Sequence, residues 1–140
     1  MKIKIKKLKD GAIIPNYAHS GDVGLDLHSL EDYKLKPGER KIFYLGFALE
    51  FPKHYAAIVK DKSGLPNKFG LHTMAGAFDP GYRGEYNVLL INLSDKLYQI
   101  KKGDKIAQLI FYPVEPAEFK QVNELSDSDR GQGRFGSTGR

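Results

Sequence analysis

The 140-residue sequence contains no cysteine. That absence excludes disulfides, thiolate nucleophiles and sulfur-based zinc sites together, and it makes a cytoplasmic, intracellular home the simplest expectation. Long apolar runs are missing as well. Charge interrupts the N-terminal stretch every second residue, so no h-region follows its lysines, and no segment approaches the length of a membrane span. Neither export nor membrane insertion is expected. No stretch of eleven or more residues carries a 3.6-residue apolar period, and no repeat or low-complexity tract precedes the C-terminal tail.

What is present is a globular composition, 41% hydrophobic, with a net charge of +5 and a pI near 9.3. The length fits one domain with a real core. The basic balance permits an anionic partner: nucleic acid, a membrane surface or a phosphorylated small molecule. Much of the excess lies in Lys2, Lys4, Lys6, Lys7 and Lys9, which alternate with Ile3, Ile5 and Leu8. That near period-2 pattern reads as a strand with a solvated lysine face rather than a nucleic-acid patch.

Short β-type runs recur at 1–8, 23–28, 41–51, 54–59, 85–93, 97–100, 105–113 and 119–122. Turn chemistry separates them: Lys36-Pro37-Gly38-Glu39, Asp79-Pro80-Gly81-Tyr82 and Lys102-Gly103-Asp104 place Pro or Gly where the chain must reverse. An all-β sandwich or barrel is predicted. One short helix is predicted as well, with Ser63 as its cap, Gly64, Leu65 and Pro66 in its first turn, and Gly70 at its end. Flanked by Lys60 and Lys62, that Ser-Gly start is a candidate anion site.

The tail from Arg130 to Arg140 holds four glycines and three arginines with Ser137 and Thr138 around a single apolar residue, Phe135. This is too little hydrophobic surface to fold alone. Guanidinium, hydroxyl and glycine N–H groups suit phosphate, and a phenyl ring stacks on a base.

Five segments occur in order: Gly24-Leu25-Asp26-Leu27, Lys62-Ser63-Gly64-Leu65, the run Gly76 to Gly84 (GAFDPGYRG), the run Gly103 to Ile110 (GDKIAQLI), and the run Arg130 to Gly139 (RGQGRFGSTG). Together they resemble the trimeric dUTP pyrophosphatase (dUTPase) family over nearly the whole chain. The resemblance implies a distorted jelly-roll β domain over residues 1–122 and a mobile C-terminal arm over 123–140 that closes on an active site. It implies hydrolysis of dUTP to dUMP and pyrophosphate by water attack on the α-phosphorus, with Mg2+ as cofactor. Asp79 is then the catalytic residue that orients and deprotonates the water, and Tyr82 packs under the deoxyribose. Uracil is read mainly by main-chain groups of the hairpin in this family. Lys62, Ser63, Gly64, Gly76 and Gln108 fall at substrate-binding positions, the phosphates meeting Ser63, Gly64 and Gln108. From the tail, Phe135 stacks on uracil while Arg130, Gly136, Ser137 and Thr138 engage the nucleotide. Asp26 matches an aspartate that holds magnesium through a bound water. Such a second-shell role explains the lack of a ligand cluster, since magnesium keeps several waters and prefers phosphate oxygens. His19, Asp22, Asp26 and His28 satisfy no metal-ligand spacing.

Two positions depart from the family pattern. Lys62 stands where arginine is usual, replacing a bidentate fork by a point charge, and Arg134 stands where glycine is common. A dCTP deaminase shares the fold and the Asp-Pro-Gly hairpin, but its catalytic glutamate falls at Leu89 and an associated arginine at Asn67. Leucine cannot shuttle protons. A non-catalytic, dUTP-gated binding module is the rival from another class. The resemblance further implies a homotrimer whose sites combine blocks one, two and four of one chain, the hairpin of a second and the tail of a third, with no nucleic-acid or membrane partner.

Overall fold

A computed structural model of the chain describes residues 1–133. Eleven strands and one helix are arranged in the order β1 (Lys4–Lys7), β2 (Leu25–His28), β3 (Tyr33–Leu35), β4 (Arg40–Tyr44), β5 (Phe47–Glu50), β6 (Tyr55–Lys60), α1 (Gly64–Phe69), β7 (Leu71–Met74), β8 (Ala77–Phe78), β9 (Asn87–Asn92), β10 (Tyr98–Ile100) and β11 (Lys105–Pro113). All pairings are antiparallel. They build four small sheets, β2-β11-β6-β8, β4-β9-β7, β1-β5 and β10-β3, wrapped around one core as a distorted jelly roll.

Strand periodicity places the core. In β9 the side chains alternate, so that Val88, Leu90 and Asn92 are buried while Asn87, Leu89 and Ile91 are only partly so. With Leu27, Leu35, Phe43, Phe47, Ile100 and Leu109, Val88 and Leu90 form a continuous apolar interior. Asn92 is tolerated there because its whole amide is paired. Nδ2 donates to the Leu35 and Lys96 carbonyls at 3.0 and 2.7 Å, and Oδ1 accepts the Ser94 N–H and hydroxyl.

The run expected at 41–51 is two strands. Gly46 sits at φ +74, a left-handed conformation that turns the chain from one sheet into another, and a Cβ there would stand 2.9 Å from Leu30 Cδ1. The run at 119–122 forms no strand: no partner edge reaches it among the described residues, and Phe119 is 96% exposed. Strands β3, β7 and β8 are not marked by the sequence pattern, being two to four residues long. The helix forms where expected. Gly70 ends it at φ 67, donating to the Leu65 and Pro66 carbonyls, but Ser63 makes no side-chain cap. Its backbone is itself helical (φ −48, ψ −31), so the hydroxyl is not turned back onto the first-turn N–H groups.

Candidate active site

Strand β11 is the spine of the site. Its Gln108 is registered against Asp26 on β2 and against Lys60 on β6, which brings blocks one and four and the approach to block two onto one sheet face. Asp26 is almost fully buried, its side chain only 2% exposed, between two ammonium groups. Lys62 Nζ bonds Oδ1, and Lys105 Nζ lies 2.7 Å from Oδ2. Burial alone would raise this carboxyl's pKa; the lysines outweigh that effect and hold it below its ordinary 3.8. Oδ2 nevertheless has no partner in hydrogen-bond geometry.

Gln108 is clamped. Its side chain lies over Gly24, where an added Cβ would come within 2.7 Å of Gln108 Cδ, and Nε2 donates to the Asp61 carbonyl at 2.8 Å. Asp61 opens the loop to α1. Its Oδ1 accepts the Thr73 N–H at 2.6 Å and its Oδ2 stands 2.7 Å from His72 Nδ1. Ser63 and Gly64 follow, both exposed.

The third block lies on the other flank of β6. Gly76 has φ +108 and its carbonyl accepts the Val59 N–H at 2.8 Å; a Cβ there would stand 2.8 Å from Val59 Cβ. Only glycine combines that torsion with that closeness. After β8 the Asp79 carbonyl accepts the Tyr82 N–H at 3.0 Å, so the expected Asp-Pro-Gly turn is present and leaves the Asp79 side chain exposed. The return limb does not ladder with β8. Instead Tyr86 exchanges backbone bonds with Leu45 and Phe47, and its buried ring stacks on Phe78 with centroids 4.3 Å apart, while the Tyr82 ring lies 5.6 Å from Phe78. Burial pushes the Tyr86 phenol up to about 12, so it serves as a neutral platform below Tyr82.

The structure therefore gathers Asp26, Lys62 and Gln108 into one cluster and Gly76, Asp79 and Tyr82 into a second. No hydrogen bond or ion pair joins Asp79 to the Asp26 cluster among the described residues. Arg130 is not brought to either; its Nε donates to the Gly133 carbonyl at 3.0 Å. Phe135, Gly136, Ser137 and Thr138, with Arg134, lie outside the described residues. Nothing local in the sequence marks Lys105 or Asp61. Lys105 sits inside the fourth block, and Asp61 is masked as one charge in a Lys-Asp-Lys run. His19 pairs with Asp22 at 3.4 Å, and no group of three metal-ligating side chains occurs among the described residues.

The dUTPase family profile matches residues 10–139. The chain belongs to the dUTPase family. It is 48% identical to the deoxyuridine 5'-triphosphate nucleotidohydrolase of Nautilia profundicola, covering all of both chains, and 45% identical to that of Clostridioides difficile, covering 98% and 97%. Among solved structures, the Staphylococcus bacteriophage 80alpha dUTPase with dUPNHPP superposes with a TM-score of 0.92 at 30% identity over 99% of each chain. A dUTPase mutant from phage phi11 of S. aureus, described with a structural Mg(II) ion, superposes at 0.82 with 27% identity, over 91% of this chain and all of that one.

Proposed function

We propose that this chain hydrolyses dUTP to dUMP and pyrophosphate, lowering dUTP and supplying dUMP for dTMP synthesis. The family match across 10–139 carries the reaction. The two residue clusters support a division of labour within it. Asp79, presented at a turn and without a side-chain hydrogen bond or ion pair among the described residues, accepts a proton from water and aims its oxygen at the α-phosphorus. As that P–O bond forms, the bond from the α-phosphorus to the bridging oxygen breaks and pyrophosphate leaves. Tyr82 supports the sugar, leaving no space for a ribose hydroxyl. Lys62, Ser63, Gly64 and Gln108 hold the phosphates, with Gly76 shaping the pocket wall against Val59.

The residues present fit an indirect magnesium site. Asp26 is a single buried carboxylate whose Oδ2, though 2.7 Å from Lys105 Nζ, lacks a partner in hydrogen-bond geometry, and it has no companion metal ligands among the described residues, which suits acceptance from a hydrated ion and not direct caging. Mg2+ so held supplies charge neutralisation on the phosphates. Lys62 and Lys105 keep Asp26 ionised for that task.

The arm, residues 123–140, closes over the nucleotide, with Phe135 stacking on uracil and Arg130, Gly136, Ser137 and Thr138 meeting the substrate. The active assembly is a homotrimer with shared sites. Supporting this are the second edge of β1, which pairs with nothing among the described residues, and the open apolar groove of about 160 Å³ beside it, lined by Ile3, Ile5, Ile14, Leu25 and Phe111. Phe119 and Leu125, 96% and 88% exposed, offer apolar surface that a lone chain leaves in water. No described helix is long and apolar enough to cross a membrane.

Chromatography of products after incubation with Mg2+ and dUTP, dCTP or dTTP tests the reaction. The expected result is dUMP and pyrophosphate from dUTP alone, and a loss of at least about a hundredfold in rate for Asp79→Asn. A uracil nucleotide from dCTP would restore the deaminase reading, and dUTP binding without turnover would favour a nucleotide-gated binding module.

A further inference from the structure

Asp61 is an unexpected residue beside a phosphate-binding segment. Its carboxylate immediately precedes Lys62, Ser63 and Gly64, where negative charge repels a triphosphate. Its contacts give it a different task. The carboxylate takes the Thr73 N–H at 2.6 Å and approaches His72 Nδ1 at 2.7 Å, while the backbone carbonyl takes Gln108 Nε2 at 2.8 Å. One residue thus ties the loop after β6 to β7 and to β11. Both ends of the Gln108 constraint are fixed: Gly24 leaves room for the carboxamide on one side, and the Asp61 carbonyl holds its nitrogen on the other. Thr73 is itself only 8% exposed, so the N–H that Asp61 accepts has little access to water. The Asp61 carboxyl lies below its usual range: burial acts to raise it, and the bonds from Thr73 and His72 prevail.

We infer that Asp61 is a positioning residue for phosphate recognition, setting the path of Lys62-Ser63-Gly64 and the orientation of Gln108 without touching substrate itself. This rests on the reading of those four residues as phosphate contacts. The operative property is hydrogen-bond acceptance and not charge. Asparagine at this position offers Oδ1 to Thr73 and an Nδ2–H to a neutral His72 Nδ1, preserving both ties while removing the repulsive charge.

Titration calorimetry on the full chain in Mg2+, with dUMP and dUpNHpp as probes and thermal melts alongside, tests this. Asp61→Ala is expected to weaken dUpNHpp by about tenfold more than it weakens dUMP, and Asp61→Asn to return dUpNHpp to within about twofold of wild type. Equal weakening of both ligands in Asp61→Ala, or weakening of neither, overturns the inference. So does an Asp61→Asn variant as impaired as Asp61→Ala, because charge would then be what matters. If Asp61→Ala fails to fold, His72→Ala removes one tie and leaves Thr73 paired. It is expected to give a smaller loss confined to dUpNHpp, and no loss counts against the inference. Wild-type protein that binds dUMP and dUpNHpp alike would instead reject the phosphate-contact assignment, and the role of Asp61 would fall with it.

Discussion

Asp26 shows how a charge survives in the interior of this small domain. Taking a carboxylate out of water costs several kcal/mol, and two ammonium groups repay that cost only while the carboxylate is ionised. Because its folded pKa lies below 3.8, the contribution to stability is present above that value and is lost as pH falls through the folded value. Asp26→Asn should therefore lower stability by about 1 to 3 kcal/mol at neutral pH, and the gap to wild type should close below pH 3.8. Denaturant melts of both proteins across pH check this; a gap independent of pH would remove the ion-pair account. At this scale the sequence marked Asp26 and Gln108 through blocks whose spacing is distinctive. It did not mark Lys105 or Asp61, because their importance lies in what they touch across strands, and a lysine in a basic chain or an acid in a Lys-Asp-Lys run carries no local signal.

Elements succeed or fail by the partners they find. The run at 105–113 is a strand over its whole predicted length because β2 pairs with its first half and β6 with its second, the two overlapping at Gln108 and Leu109. The run at 119–122 has the same β propensity and no edge to join. Propensity on a half-buried surface is a statement about neighbours, which a single sequence does not contain. The same reasoning governs the arm. After Pro113 the described chain is exposed throughout, so the described part of the Arg130 to Arg140 segment adds nothing to the core. A chain lacking Arg130 to Arg140 should melt within about two degrees of wild type while losing about a hundredfold or more in turnover if the arm closes over the nucleotide as proposed, since its cationic groups are then gone. Steady-state kinetics beside a thermal melt would show it, and undiminished turnover would make the arm dispensable.

For the molecule as a whole, no hydrogen bond or ion pair joins Asp79 to the Asp26 cluster among the described residues, and the proposed trimer would complete each site from neighbouring chains. Family membership and fold were legible from five short blocks. The homotrimer follows only from the resemblance; what folding adds is apolar surface left exposed at Phe119, Leu125 and the groove beside β1. Sedimentation at micromolar concentration is expected to give a species of three chains. A fully active monomer would refute shared sites. Mixing Asp79→Asn chains with arm-truncated chains, each inactive alone, should then recover part of the activity, because some mixed trimers hold an intact hairpin and an intact arm at the same site.

The nesting of Gln108 over Gly24 also constrains the order in which mutations can accumulate. A side chain at position 24 displaces the carboxamide from the Asp61 carbonyl at once, whereas a shorter residue at 108 leaves Gly24 harmless. A side chain at 24 is therefore accommodated only with a rotated or shortened residue at 108, which couples the two positions.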